Sequence, residues 1–139
     1  MWTFELDWTS KIMDSMIPPG VEEQIPQAAT EAGAVEVLRE MILYTPAITA
    51  VGFRAAIWFI EVLGPMIAMG KFSRFSKLDP PSREKVLETI YKSKVYLMRQ
   101  LVLLIKMAAC FAWGAYPQVR EGLGAAGEPK FVKRNVSLR

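Results

Sequence analysis

Apolar residues recur at intervals of three and four along most of this chain, which is the spacing of amphipathic α-helices. One such pattern covers residues 4–17, and a Pro-Pro-Gly run at 18–20 ends it. A second covers residues 33–44, and the Thr-Pro pair at 45–46 interrupts it. The apolar side of the first predicted helix is formed by Phe4, Trp8, Ile12 and Ile17. These patterns predict an all-α chain whose helices break at prolines.

The third apolar pattern, residues 47–69, is long enough to cross a bilayer. Arg54 and Glu61 interrupt it two turns apart on one face, and the Gly-Pro pair at 64–65 predicts a break inside it. On insertion scales an arginine alone costs roughly 2.5–3.5 kcal/mol at mid-bilayer. Three arrangements therefore remain open: a helix buried against a partner, a helix lying in the membrane interface, and a membrane span.

A hinge at 70–81 leads to the last predicted helix, 82–115, for which Asp79 or Ser82 supplies the cap. Between Leu101 and Trp113 only Lys106 is charged, so we expect this end of the helix to be nearly enclosed. The chain then divides into three parts. These are an N-terminal amphipathic segment with an extended connector (1–32), a helical domain (33–117) and an extended basic tail (118–139).

Composition excludes several kinds of active site. The chain has no His and one Cys, so a Ser-His triad and an imidazole metal site cannot form within it. Cys110 lies in an apolar run, which predicts a buried, inert thiol. The G-x-G-x-x-G string at 122–127 follows no strand and therefore does not predict a dinucleotide site. We assign no catalytic residue, no metal site and no cofactor bound by this chain, and a soluble enzyme is the least favoured class.

The net charge of +3 is too small to indicate a nucleic-acid partner, but the charge is unevenly distributed. Residues 1–40 carry eight acids and two bases, whereas residues 71–106 carry nine bases and three acids. The basic part can face the acidic part, anionic lipid or an acidic partner. Phe72 and Phe75, which alternate with the bases of the hinge, suit a core-filling corner, a membrane interface or nucleic-acid stacking, and the corner is favoured.

Residues 72–124 carry a recognisable series of motifs. An aromatic corner is followed by Pro-Ser-Arg-Glu at 81–84, a serine at 93 and a leucine-rich stretch. Trp113 and Tyr116 follow, then Pro-Gln-Val at 117–119 and Leu-Gly at 123–124. This segment resembles the helical region that precedes the flavin domain in long-chain alcohol oxidases of the glucose-methanol-choline flavoprotein family. It also resembles the small third subunit of gluconate 2-dehydrogenase-type complexes. Trp-Gly-Ala-Tyr stands at 113–116 where that pattern has adjacent tyrosines.

The resemblance implies a non-catalytic accessory subunit of a flavin-dependent alcohol- or sterol-type dehydrogenase. The FAD and the catalytic groups would lie in a larger partner subunit. We expect the apolar faces of 47–69 and 97–113 to stabilise that subunit by covering its surface. They would also shape the entry of a lipophilic substrate or dock the complex peripherally on a membrane, on a side that the sequence does not specify. The alternative is a small membrane-embedded or membrane-interface subunit of a respiratory or photosynthetic assembly. The predicted partner contacts are Phe72, Phe75, Leu87, Tyr91, Leu101, Ile105, Trp113 and Tyr116.

Overall fold

The computed structural model describes residues 2–20, 27–122 and 124, and within these residues every regular element is helical. The α-helices are α1 (Thr3–Met16), α2 (Ala34–Tyr44), α3 (Ala47–Trp58), α4 (Gly64–Met69), α5 (Pro80–Tyr91), α6 (Tyr96–Ala115) and α7 (Pro117–Gly122). A π-helical turn, Phe59–Leu63, joins α3 to α4, and a 3-10 turn, Phe75–Lys77, precedes α5. The predicted all-α fold is confirmed.

Helix α1 closes one side of a single core. Trp8, Ile12 and Met13 are buried because their spacing places them on the side of α1 that faces α2, α5 and α6. Ile17 packs partly buried against the same core, whereas Phe4 remains 41% exposed. Within the predicted connector, residues 29–33 form turns, Ala28, Ala29 and Ala32 are buried, and residues 21–26 lie outside the described part of the chain.

The break between α2 and α3 falls where the sequence predicts it. Thr45 ends α2, and its backbone N–H donates to the Met41 carbonyl at 3.0 Å. Pro46 then accepts the first hydrogen bonds of α3, from Thr49 at 2.9 Å and Ala50 at 3.1 Å. Proline suits this position because it has no backbone N–H that would need a helical partner.

The predicted break at Gly64-Pro65 does not occur. The helix continues from Ala47 to Met69, and the π turn Phe59–Leu63 lies directly before the Gly64-Pro65 pair. In a regular α-helix the Pro65 ring would clash with the carbonyl four residues earlier. A π turn widens the helix at that point and accommodates the ring without ending the helix. Gly64 is buried, and a Cβ there would lie 3.0 Å from Val86 Cγ1, so its small size lets α4 approach α5 closely.

The single helix predicted over 82–115 is two helices. Helix α5 ends at Tyr91, and residues 92–95 turn the chain before α6 begins. At the turn the Ser93 hydroxyl accepts the Val95 backbone N–H at 3.2 Å, and Arg99 Nη1 donates to the Ser93 carbonyl at 3.2 Å. The serine side chain therefore replaces a helical hydrogen bond. The turn lets α5 pack against α4 while α6 packs against α2 and α3.

The first part of the predicted extended tail is helical. Pro117, which was expected only to end the preceding helix, begins α7, and Val119 of that helix is buried. Residue 123 and residues 125–139 lie outside the described part of the chain, so the basic remainder of the tail stays a prediction.

Candidate interaction surface

A buried carboxylate joins α1 to α3. Arg54 Nη2 donates to Glu5 Oε1 at 3.0 Å, and Trp58 Nε1 donates to the same oxygen at 2.8 Å. The Trp2 backbone N–H donates to Glu5 Oε2 at 2.9 Å. Burial by itself raises the pKa of Glu5, but these hydrogen bonds and the Arg54 charge outweigh it and leave that pKa below its usual value. This cluster neutralises the arginine of the long apolar helix within the protein.

Aromatic rings cover the outer side of this ion pair. Phe4, Trp8 and Trp58 meet edge to face with centroid separations of 4.9 to 5.9 Å, and the Arg54 guanidinium lies 5.3 Å from the Trp2 ring centroid. These ring contacts and the cation–π contact add to the ion pair and hold α1 against α3, while the Arg54 side chain remains 39% exposed.

The second acidic group of 47–69, Glu61, lies in the π turn and is fully buried. Its carboxylate accepts the Ser76 hydroxyl at 2.6 Å and the Ser76 backbone N–H at 3.0 Å. Burial raises the pKa of Glu61 above its usual value, because the Ser76 hydrogen bonds and the charges of Arg74 and Lys11 oppose this rise without cancelling it. Glu61 thus clamps the 3-10 turn onto the long helix. The sequence places Arg54 and Glu61 on one face, but their partners come from different elements.

Arg83 holds the same turn from the other side. Its Nη2 donates to the Ser76 carbonyl at 2.8 Å and its Nε to the Phe75 carbonyl at 3.3 Å. Phe75 is fully buried beneath them. The segment between Gly70 and the 3-10 turn is therefore fixed at its C-terminal end, while Phe72 at its tip is 96% exposed. The favoured core-filling interpretation of these two rings is correct for Phe75 and wrong for Phe72.

The outward side of 47–69 is apolar along its whole length. All residues of this segment are described, and its exposed residues are uncharged. The exposed large side chains follow a helical stripe: Ile48, Val51, Trp58, Val62, Leu63, Met66 and Ile67. We call these residues the α3–α4 stripe. Leu43 and Tyr44, 70% and 88% exposed, extend apolar surface around the elbow at Thr45-Pro46. The sequence signal for apolar surface at this elbow is the bulky pair directly before the Thr-Pro break.

Helix α6 presents a second apolar stripe, which corrects two expectations. The helix is not nearly enclosed, because Met107 is 45% and Phe111 60% exposed. Cys110 is exposed as well, so the prediction of a buried thiol is wrong: it lies on the outer side, next to Phe111. The inner side of α6 is instead filled by Val102, Ile105, Ala108, Ala109 and Ala112. We call Tyr96, Leu103, Met107, Cys110 and Phe111 the α6 stripe.

The eight predicted partner contacts lie in three environments. Phe75, Leu87 and Ile105 are 0%, 7% and 0% exposed in the core of the chain, so in this conformation they offer no surface to a partner. Phe72 and Tyr91, at 96% and 49%, are accessible. The other three residues, which are partly exposed, are Leu101, Trp113 and Tyr116.

Trp113 also has an internal partner, because its indole N–H donates to the Gln27 carbonyl at 3.0 Å. The accessible predicted contacts thus divide between the hinge, the end of α5 and the flank of α6. The two stripes supply additional apolar surface on α3, α4 and α6 that the predicted set did not include.

The described residues hold no group of three or more His, Cys, Asp or Glu side chains that could bind a metal ion. Two helices, Ala47–Met69 and Tyr96–Ala115, are long and apolar enough to cross a membrane by length and composition. Only 33% and 28% of their most apolar stretches are buried within the protein. What the arrangement offers is surface for association.

No protein-family model, curated protein or solved structure matches this chain. Its class is defined by the fold and the surfaces: an all-helical protein with two long, partly uncovered apolar helices.

Proposed function

We propose that this chain is a non-catalytic accessory subunit of a larger flavin-dependent dehydrogenase of the alcohol or sterol type, and that it docks the complex peripherally on a membrane. The observation that carries the proposal is the pair of apolar stripes on two long helices, whose most apolar stretches are only 33% and 28% buried. Soluble proteins rarely leave extended apolar surface in water unless it serves an interaction. The flavin partner is inferred from the resemblance of residues 72–124, which include α5 and α6.

The α6 stripe is the surface that we assign to the flavin-bearing partner. It lies within the segment that carries the resemblance, and Phe111 and Tyr96 supply the aromatic anchors that protein interfaces favour. Tyr91 and Lys106 flank the stripe, with the Lys106 ammonium 5.8 Å from the Tyr91 ring centroid. An apolar centre with a polar edge is the usual composition of a stable protein interface.

Affinity purification of the chain from its native host in mild detergent tests the proposal. We expect a stoichiometric larger subunit, identified by mass spectrometry, and flavin absorbance in the eluate. Phe111→Asp should release that subunit, because a charge would be buried in the contact. Leu43→Asp is the matched control: it makes the same kind of change at an exposed apolar position outside the stripe and should leave the complex intact.

Two outcomes would overturn this assignment. A colourless, monodisperse chain without a partner would remove the accessory-subunit function. Equal release by Phe111→Asp and Leu43→Asp would remove the α6 stripe as the specific contact. The Cys110 thiol offers an independent check, because it is exposed in the free chain and should be protected from a thiol reagent in the complex.

The length and composition of the two apolar helices favour a second candidate, a membrane-embedded subunit. In a spanning arrangement Arg54 would lie at bilayer depth, although its pairing with Glu5 would reduce the cost. Carbonate extraction of host membranes distinguishes the two candidates. A peripheral subunit should be released into the supernatant, whereas a spanning one should remain in the pellet.

A further inference from the structure

The loop between α4 and the 3-10 turn combines an exposed ring with a cluster of positive charge. Phe72 is 96% exposed, and Lys71, Arg74 and Lys77 are exposed around it. None of these three bases makes an ion pair within the described part of the chain. The sequence from residue 62 to residue 78 contains no acid, and the next one, Asp79, accepts a hydrogen bond from Ser82. The charges of Arg74 and Lys71 are felt by Glu61 and Asp79, but Glu61 is fully buried and the three bases outnumber the exposed acid. The loop therefore presents a net positive charge beside an apolar tip.

The surface beside the ring is amphipathic. An open depression of about 480 Å³ is lined by Val62, Phe72, Ser73, Arg74 and Lys77. Val62 belongs to the α3–α4 stripe, so apolar surface continues from the depression along the long helix. The hydroxyl and the two cationic groups suit a phosphate, while the ring and the valine suit the start of a hydrocarbon chain.

The loop is also held in place. Gly70 ends α4 in the left-handed conformation, at φ 65°, and its N–H donates to the Met66 carbonyl at 2.9 Å. On the other side the Glu61 clamp and Arg83 fix Ser76. A ring presented from a loop fixed at both ends loses less conformational entropy on binding than a ring on a free segment.

We propose that residues 71–77 form an interfacial anchor for an anionic phospholipid bilayer. Phe72 enters the boundary between headgroups and acyl chains, and Lys71, Arg74 and Lys77 bind lipid phosphates. Charge complementarity selects the anionic surface, and the apolar continuation onto Val62 selects lipid over nucleic acid, which would require stacking surfaces for successive bases. The inference rests on the membrane-docking part of the proposed function and is independent of the flavin partner.

Flotation of the full chain with vesicles of phosphatidylcholine, alone or with 30% phosphatidylglycerol, measures this directly. Each base near an anionic surface contributes about fivefold to partitioning. Replacing Lys71, Arg74 and Lys77 by Gln should therefore abolish a preference of up to about 100-fold for the anionic vesicles. The control replaces Arg39, Lys85 and Lys94, which are exposed elsewhere, by Gln and has the same net charge. It should retain most of the preference.

Phe72→Ser should weaken binding to both kinds of vesicle by about tenfold, because it removes the inserted ring. Phe72→Trp should retain binding, since tryptophan also suits the interface. If the wild type binds vesicles and the loop variants bind them as well as the charge control does, the membrane contact lies elsewhere. In that case this inference fails while the proposed function stands. If the wild type binds no vesicle yet assembles with the flavin-bearing subunit, membrane docking fails and the accessory-subunit function stands. If polyanionic RNA competes for the loop and neutral lipid content has no effect, the anchor is a nucleic-acid contact instead.

Discussion

Replacing Arg54 by methionine isolates the effect of a buried charge in this fold. The Glu5 side chain is 1% exposed, whereas the Arg54 side chain is 39% exposed. Arg54→Met removes the three hydrogen bonds, between 3.0 and 3.2 Å, that the guanidinium donates to the carboxylate. The carboxylate remains buried with only the Trp58 indole and the Trp2 backbone as donors. The variant therefore leaves an ion without its counterion.

Removing one partner of a buried ion pair typically costs about 3–5 kcal/mol. Water reaches the guanidinium at 39% exposure and screens part of the attraction, so we expect Arg54→Met to cost about 2–3 kcal/mol of unfolding free energy. Adding Glu5→Met to Arg54→Met also removes the buried carboxylate that has lost its counterion. An apolar pair of similar volume should bring the double variant to within about 1 kcal/mol of the wild type. The second substitution should thus restore stability that the first removes.

Urea unfolding at pH 7, followed by far-UV circular dichroism, measures the complete double-mutant cycle. The reasoning is refuted if the double variant is no more stable than Arg54→Met. The pH dependence supplies a second readout. Because the pKa of Glu5 is lowered in the folded state, its pairing stabilises the fold above the unfolded pKa. That contribution is lost as the pH falls through the folded pKa, so the cost of Arg54→Met should shrink in acid.

Three further predictions follow from other positions. Burial raises the pKa of the Glu61 carboxyl, so the folded state binds its proton more tightly than the unfolded state, and the free energy of unfolding should fall as the pH rises above roughly 4.3. Glu61→Gln can still accept the Ser76 N–H and should flatten this decline, as measured by urea unfolding at several pH values. Gly64→Ala should lower the free energy of unfolding by about 1 kcal/mol, because its Cβ would lie 3.0 Å from Val86. Gly52→Ala, whose Cβ would lie 4.0 Å from Leu104, should raise it by up to about 1 kcal/mol through helix propensity, and thermal melts in which both variants shift in the same direction would contradict this. Cys110 should react stoichiometrically with a thiol reagent in the native free chain, and a thiol that needs denaturant would contradict its exposure.

The helix boundaries that the sequence predicts well are those that depend on proline. Pro46 and the Pro-Pro pair at 80–81 start α3 and α5 because a proline constrains its own backbone and that of its neighbour. Pro65 has the same local preference, yet the helix continues through it. What changes the outcome is the π turn, which lets α4 remain packed against α5. Local rules fix a boundary only where tertiary packing does not require another path.

The interaction surfaces were less predictable, because they depend on which side of a helix is covered. The glutamate that pairs with Arg54 lies 49 residues earlier, and no periodicity connects the two. Cys110 and Phe111 lie in an apolar run, and composition alone cannot tell the inner side of α6 from its outer side. The exposed Phe72 was weighed as a membrane-interface residue, and that role remains a prediction. The flavin-bearing partner likewise remains a prediction that rests on residues 72–124.

The charges of the long apolar helix point to its environment. Arg54 and Glu61 would usually mark the water-facing side of an amphipathic helix. Here both side chains are satisfied from within the protein, by Glu5 and by Ser76. The outward side, from Ile48 to Ile67, is left to apolar side chains. Contact with water does not explain this arrangement, because it pairs or buries the charged groups and leaves the apolar side chains exposed. A lipid or protein surface could cover the apolar side chains while Glu61 stays buried and Arg54 stays paired with Glu5. The placement of the two ions therefore favours a covered helix over one that faces water.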